Sequence, residues 1–237
     1  MKTEFVDYVA DGITCEGFLA SPDGPGPFPG VLVCHAWMGQ AEYEQEKAKA
    51  LARLGYVAFC ADVYGKGNRA SDTAGAQALM NPLAGDRTGA LARRLAGSLQ
   101  ALKAQPGVDA GRLGAVGFCF GGLCALDMVR AGADLRGVVA FHAILGGVEF
   151  DAEPTASVLA CQGWEDPMAN PDAIRAFGDE MTKLGVDWQV HAYGNTHHAF
   201  TTPGANNDQL GLHYDERADR RSWRAMRGFL SEVFSVQ

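Results

Sequence analysis

An α/β fold is the architecture this sequence predicts: a mostly parallel central sheet, an antiparallel hairpin at its N-terminal end, and helices on both faces. Three observations carry that reading. The nearly unbroken apolar run PFPGVLVCHA (27–36) suits a strand buried on both faces of a parallel sheet. From there to the end, strand-like and helix-like stretches alternate in the rhythm of βαβ units. Ahead of them stand EFVDYVA (4–10) and ITCEGFLA (13–20), alternating in polarity and split by Asp11-Gly12, the signature of a hairpin.

The elements follow in order. After the run at 27–36, a helical stretch at 41–54 closes on Leu54-Gly55, a glycine-type stop. YVAFCADV reads as the next strand, and an Ala-, Leu- and Arg-rich helix is expected near 86–104. RLGAVGFC is a strand feeding a helix from about 120; GVVAFHA and SVLACQG are strands; a helix starts at 171; VDWQVHAY is the last long strand, and a helix near 216–234 ends the series. Between them, YGKGNRASDTAGAQALMNPLAG (64–85) is irregular, with scattered Gly, Asn, Ser and Pro. Both its flanks belong to one alternating series, so it reads as a loop, short helix or lid over a site within a single domain spanning 1–237.

The chain has 237 residues, 47% hydrophobic and 20% charged, enough for one substantial core and too little charge for disorder. A net charge of −8 argues against a nucleic-acid or anionic-membrane surface. No apolar run approaches the roughly 18 residues of a membrane span. The start, MKTEFVDYVADG, lacks the parts of a signal peptide, so the six cysteines are expected to be reduced in the cytoplasm.

One cysteine stands apart. Gly117-Phe118-Cys119-Phe120-Gly121-Gly122 falls between a strand and a helix in the form G-x-C-x-G-G, a nucleophile elbow with Cys in place of the commoner Ser. Glycines are needed there because the turn is too tight for neighbouring Cβ atoms. The helix's positive end favours the thiolate, and the N–H of Phe120 points where an oxyanion would form. An elbow nucleophile needs an acid after a later strand and a histidine after the last. Trp164-Glu165-Asp166-Pro167 follows SVLACQG, and His197-His198-Ala199-Phe200 follows VDWQVHAY. No ligand quartet at metal-site spacing appears, Cys34-His35 included, so no metal is expected. His142, His191 and His213 read as structural.

The residues Gly117 to Gly122, Gly163 with Asp166-Pro167, and Tyr193-Gly194 through His198-Ala199-Phe200 resemble those of the dienelactone hydrolase (carboxymethylenebutenolidase) family. That family is a Cys-His-Asp branch of the α/β-hydrolase fold, and the matching layout spans nearly the whole chain. The resemblance selects Asp166 over Glu165 and His198 over His197. It also marks two departures: Ala36 stands where dienelactone hydrolase carries a glutamate that influences the nucleophile's resting state, and Thr202 stands where dienelactone-specific enzymes carry a carboxylate-gripping arginine.

The expected function is cleavage of an activated ester or lactone through a Cys119, His198 and Asp166 triad and a thiol acyl-enzyme, needing no cofactor. The oxyanion would rest on the backbone N–H groups of Trp37 and Phe120. Trp37, Tyr64, Trp164 and Phe200 are candidates for an aromatic substrate wall, and Arg69 for a clamp on a substrate anion. Without the strand-end glutamate, Cys119 and His198 are expected to rest as an ion pair. The remaining cysteines, Cys15, Cys34, Cys60, Cys124 and Cys161, read as packing residues. The expected partner is a small molecule, and the expected assembly a monomer or small homo-oligomer. The competing reading is an inactive hydrolase scaffold acting as a thiol redox or electrophile sensor, with Cys124 as the resolving thiol.

Overall fold

The computed structural model describes residues 1–235. Lys2–Ala10 (β1) and Ile13–Ser21 (β2) pair antiparallel, and the turn between them places Asp11 and Gly12 at positive φ, 50° and 74°. That conformation is the reason Asp-Gly is favoured at a two-residue hairpin turn. Phe28–Cys34 (β3), Val57–Cys60 (β4), Val108–Phe118 (β5), Gly137–Phe141 (β6), Ser157–Gly163 (β7) and Trp188–Tyr193 (β8) complete an eight-stranded sheet. Its order is β1-β2-β4-β3-β5-β6-β7-β8. β2 joins β4 antiparallel, and every pairing from β4 to β8 is parallel. Asn206–Asn207 (β9) and Leu212–His213 (β10) form a separate short ladder.

The central strands are apolar throughout because both of their faces are covered. Val31 and Val33 of β3, Val116 of β5, Val139 of β6 and Leu159 of β7 pack on one side, against Glu42–Arg53 (α1) and Glu216–Ser235 (α6) through Leu51, Met226, Phe229 and Leu230. Leu32, Ala115, Val138 and Val158 point the other way. They meet Ala92–Lys103 (α3), Phe120–Arg130 (α4) and Pro171–Lys183 (α5) through residues such as Leu95, Leu126 and Phe177. Strand alternation thus splits one apolar run between two cores. Truncating Leu32, which is fully buried, to Ala would cost about 2–5 kcal/mol.

Two stretches differ from expectation. The irregular segment contains a 12-residue helix, Thr73–Ala84 (α2), started by Asp72, whose carboxylate accepts from the N–H of Gly75 at 2.7 Å. Ala, Leu, Met and Gln, all good helix formers, make up most of it, and burial of Ala76 and Leu83 seats it against the protein. The helix expected from 86 begins instead as a π-helical turn, Arg87–Leu91, before α3. There the Asp86 carboxylate accepts from the N–H of Ala90, and Arg87 reaches across to Asp127 on α4 at 2.7 Å. Satisfying both ends widens the turn. Among the described residues, no helix is long and apolar enough to cross a membrane.

Candidate active site

β5 delivers Cys119 to the carboxyl edge of the sheet, where open α/β sheets place their ligands. Cys119 has φ 55° and ψ −115° and is the N-cap of α4. Positive φ at a non-glycine residue is a strained state, which here turns the thiol away from the sheet. Close approach explains the flanking glycines: a Cβ on Gly117 would strike the Gly121 backbone, one on Gly121 the Cys34 and His35 carbonyls, and one on Gly122 Ala143. The turn is pinned by the Cys119 N–H donating to the Phe141 carbonyl at 3.0 Å. Cys119 is the one cysteine that is not buried. Burial pushes the Cys15 thiol up to about 11 and those of Cys34 and Cys161 up to about 12. Cys60 and Cys124 are driven well above the usual thiol range by burial and neighbouring negative groups, so they stay protonated and inert.

Asp166 lies on the loop after β7 and is buried, while its neighbour Glu165 is exposed. One Asp166 oxygen accepts from the N–H of Met168 at 2.8 Å; the other accepts from His198 Nδ1 at 2.7 Å. A carboxylate can only accept, so this bond fixes the histidine tautomer. The histidine loop reaches Asp166 because Gly163 has no side chain: a Cβ there would collide with the carbonyls of Thr196 and His197. His198 is held by its own N–H to the Gly211 carbonyl and by the N–H of His213 to its carbonyl, at 3.1 and 3.0 Å. His197 turns the other way, its ring 4.8 Å from that of His213.

His198 is buried, and its Nε2 has no hydrogen bond of good geometry. Burial works against the imidazolium, but the charge of Cys119, the bond to Asp166 and the proximity of the sulfur outweigh it and raise its pKa to about 10. The neighbouring His142 goes the opposite way. Burial, then the charge of His198, drive it well below the usual value, so it stays neutral. Its ring meets that of His198 edge-on at 5.0 Å, and its Nε2 pairs with Thr201 Oγ1 at 2.7 Å.

Cys119, His198 and His142 share the wall of a cavity of about 510 Å³. α2, in the segment expected as a loop, short helix or lid, contributes Gln77, Met80 and Asn81 to that wall. Of the five residues expected to bind substrate, Trp37 lies on it. The other four do not line it. Phe200 is fully buried, its ring between those of His142 and Tyr193. Trp164 is 45% exposed and faces solvent beyond the rim. Tyr64 is buried, and its hydroxyl donates to the Trp37 carbonyl at 3.0 Å. Arg69 is exposed but its guanidinium is engaged: its Nε donates to the Gln40 carbonyl, its NH2 group to Gln40 Oε1 at 2.6 Å, and Glu16 lies 3.6 Å away. Tyr64 and Arg69 thus both bond the 37–40 stretch of the loop that carries Trp37.

That loop has a further brace that sequence reasoning missed. Glu44, on the first turn of α1, accepts from the N–H of Ala36 at 3.1 Å and from that of Ala41 at 3.0 Å, closing the 36–41 loop from both ends. It is buried in the cavity wall, and burial pushes its carboxyl up to about 7. The signal was its place three residues after the N-cap Ala41, the capping-box position. Among the described residues, no cluster of three His, Cys, Asp or Glu side chains is placed to hold a metal ion.

Comparison with known proteins agrees with this geometry. The profile of the dienelactone hydrolase family matches residues 15–234. A protein of Aquifex aeolicus provisionally named carboxymethylenebutenolidase is 28% identical over 230 residues, 93% of this chain and 94% of its own. An uncharacterised Caenorhabditis elegans protein is 38% identical over 155 residues, 63% of this chain and 98% of its own. The crystal structure of a dienelactone hydrolase-like promiscuous phosphotriesterase from metagenomic libraries superposes with a TM-score of 0.93 at 38% identity, covering 98% of each chain. The sheet order, the elbow and the matched span lead to one conclusion: this chain, with its α/β-hydrolase fold, belongs to the dienelactone hydrolase family and is an ester or lactone hydrolase.

Proposed function

We propose that the chain hydrolyses an activated ester or lactone through a thiol acyl-enzyme on Cys119. The observation that carries this is the 2.7 Å bond from buried His198 to buried Asp166 on the wall of the same cavity as the elbow cysteine. His198, whose imidazolium is favoured by its raised pKa, takes the thiol proton. The sulfur attacks the acyl carbon and the carbonyl π electrons move to oxygen. The resulting oxyanion is held by the backbone N–H groups of Phe120, the first residue of α4, and of Trp37. When the intermediate collapses, the alcohol leaves with the proton from His198. Neutral His198 then takes a proton from water, hydroxide adds to the thioester, and the acid departs while the thiolate and imidazolium re-form. Asp166 keeps the imidazole oriented throughout.

A thiolate leaves more readily than an alkoxide, so unactivated alkyl esters revert from the first intermediate, and enol esters, thioesters and strained lactones are the favoured class. The experiment is pre-steady-state hydrolysis of p-nitrophenyl acetate. A burst of one equivalent per chain, lost in Cys119→Ala, supports the reading; a full burst in that variant refutes it.

A second activity is supported by the 38%-identical phosphotriesterase relative. A thiolate with two oxyanion donors can attack phosphorus as it attacks an acyl carbon. Paraoxon should release p-nitrophenol with the same dependence on Cys119; equal release by Cys119→Ala would remove the second activity.

A further inference from the structure

We infer that this site takes uncharged substrates with an apolar acyl group and rejects acyl groups that carry a carboxylate, an inference that rests on the thiol-hydrolase reading above. The wall beyond the catalytic groups is built from Trp37, Met38, Met80, Ile144, Leu210 and Leu212. Its remaining polar side chains are the neutral Tyr43, Gln77, Asn81 and Thr202, together with the Glu44 carboxyl. Among the described residues, no Lys or Arg lines it.

Cations on the neighbouring elements are committed to other partners. Arg69 is engaged by Gln40 and Glu16, outside the cavity. Arg87 and Arg130 are both held by Asp127, behind the elbow helix. Lys47 lies among the rings of Tyr43, Phe118 and Trp223 and beside Asp219. The one group inside the cavity able to carry positive charge is His198; the proton it would hold is the one it shares with Cys119, so the two sum to zero charge, and His198 is already engaged by Asp166 at 2.7 Å. Pair and carboxylate together leave the catalytic centre net negative, and Glu44 adds either nothing or a further negative charge. A substrate carboxylate entering here loses its water and meets no partner, whereas a methylene gains a dry apolar wall. The net charge of −8 on the whole chain acts in the same direction at longer range.

The test compares kcat/KM for four p-nitrophenyl esters that share a leaving group: acetate, butyrate, hemisuccinate and methyl succinate. Hemisuccinate places a carboxylate where butyrate has its terminal methyl, and methyl succinate masks that charge. The expected order is butyrate above acetate by about fourfold per methylene, hemisuccinate below butyrate by at least about 100-fold, and methyl succinate recovering most of the loss. Hemisuccinate hydrolysed as fast as butyrate overturns the inference. Met80→Lys, on the partly exposed face of α2, adds a cation to the wall. It should shift the butyrate-to-hemisuccinate ratio at least about tenfold toward the anion; an unchanged ratio also overturns the inference. Turnover that persists in Cys119→Ala defeats the thiol reading while the selectivity order still stands or falls by itself. Should none of the esters turn over, protection of Cys119 from iodoacetamide by methyl butyrate but not by monomethyl succinate reads the same selectivity. Equal protection by the two overturns it.

Discussion

Glu44→Gln is the perturbation whose consequence can be worked furthest from the structure. Burial raises the Glu44 carboxyl from 4.5 to about 7, against the pull of the Ala36 and Ala41 N–H groups. Because the folded-state value lies above the unfolded one, Glu44 contributes stability that is fully present below about pH 4.5 and is lost as pH rises through about 7. At about 1.4 kcal/mol per unit, the loss across that window is about 3 kcal/mol. Glutamine does not titrate, so the variant lacks this slope. It also offers one acceptor oxygen to two N–H donors, and the donor left facing an NH2 group costs about 1–3 kcal/mol. In urea denaturation, the variant should therefore be less stable than the parent at pH 4.5 and as stable or more stable at pH 8, a relative change of about 3 kcal/mol. Other titrating groups, His142 included, are common to both proteins and cancel. Slack in the 36–41 loop should lower kcat with little change in KM, because the oxyanion donor matters most in the transition state. An identical stability difference at the two pH values would refute the reasoning.

Three further outcomes follow from the same contacts. In Cys119→Ala, His198 loses the charge that most favours its imidazolium while burial still opposes it; its NMR titration should move down from about 10, and an unmoved titration would break the coupling. Arg69→Ala should lower kcat for neutral esters through the loop at Gln40, and it should leave the relative rates on neutral and anionic esters unchanged; a selective loss on anions would restore Arg69 as a clamp. Asp127→Ala leaves Arg87 and Arg130 without their shared carboxylate, and since Asp127 and Arg130 are buried, chemical denaturation should record a loss of about 3–5 kcal/mol.

Strands and their order of use were legible because a doubly covered strand must be apolar at every covered position, as 31–34 and 158–161 are. The elbow was legible for a steric reason: the backbone passes so close at Gly117, Gly121 and Gly122 that glycine is required. Asp166 and His198 were reachable only with the family resemblance, since Glu165 and His197 offer the same chemistry one residue away, and only the loop's path decides which is buried. Arg69, Tyr64 and Phe200 show where periodicity and residue type run out. Their side chains are directed by partners far along the chain, Gln40, Trp37 and His142, that no local pattern encodes. Glu44 escaped because an acid in the first turn of a helix ordinarily faces solvent. α2 stayed one of several readings because Gly75, Asn81 and Pro82 interrupt its run of good helix formers.

The central claim is that Cys119 carries the acyl group, and the direct measurement is mass spectrometry of the protein quenched in acid during turnover of p-nitrophenyl acetate. The account predicts one added acetyl group, mapped to the peptide that contains Cys119, absent from Cys119→Ala and accumulating when Asp166→Asn slows its release. An acetyl group on any other residue, or turnover by Cys119→Ala at the parental rate, would contradict it.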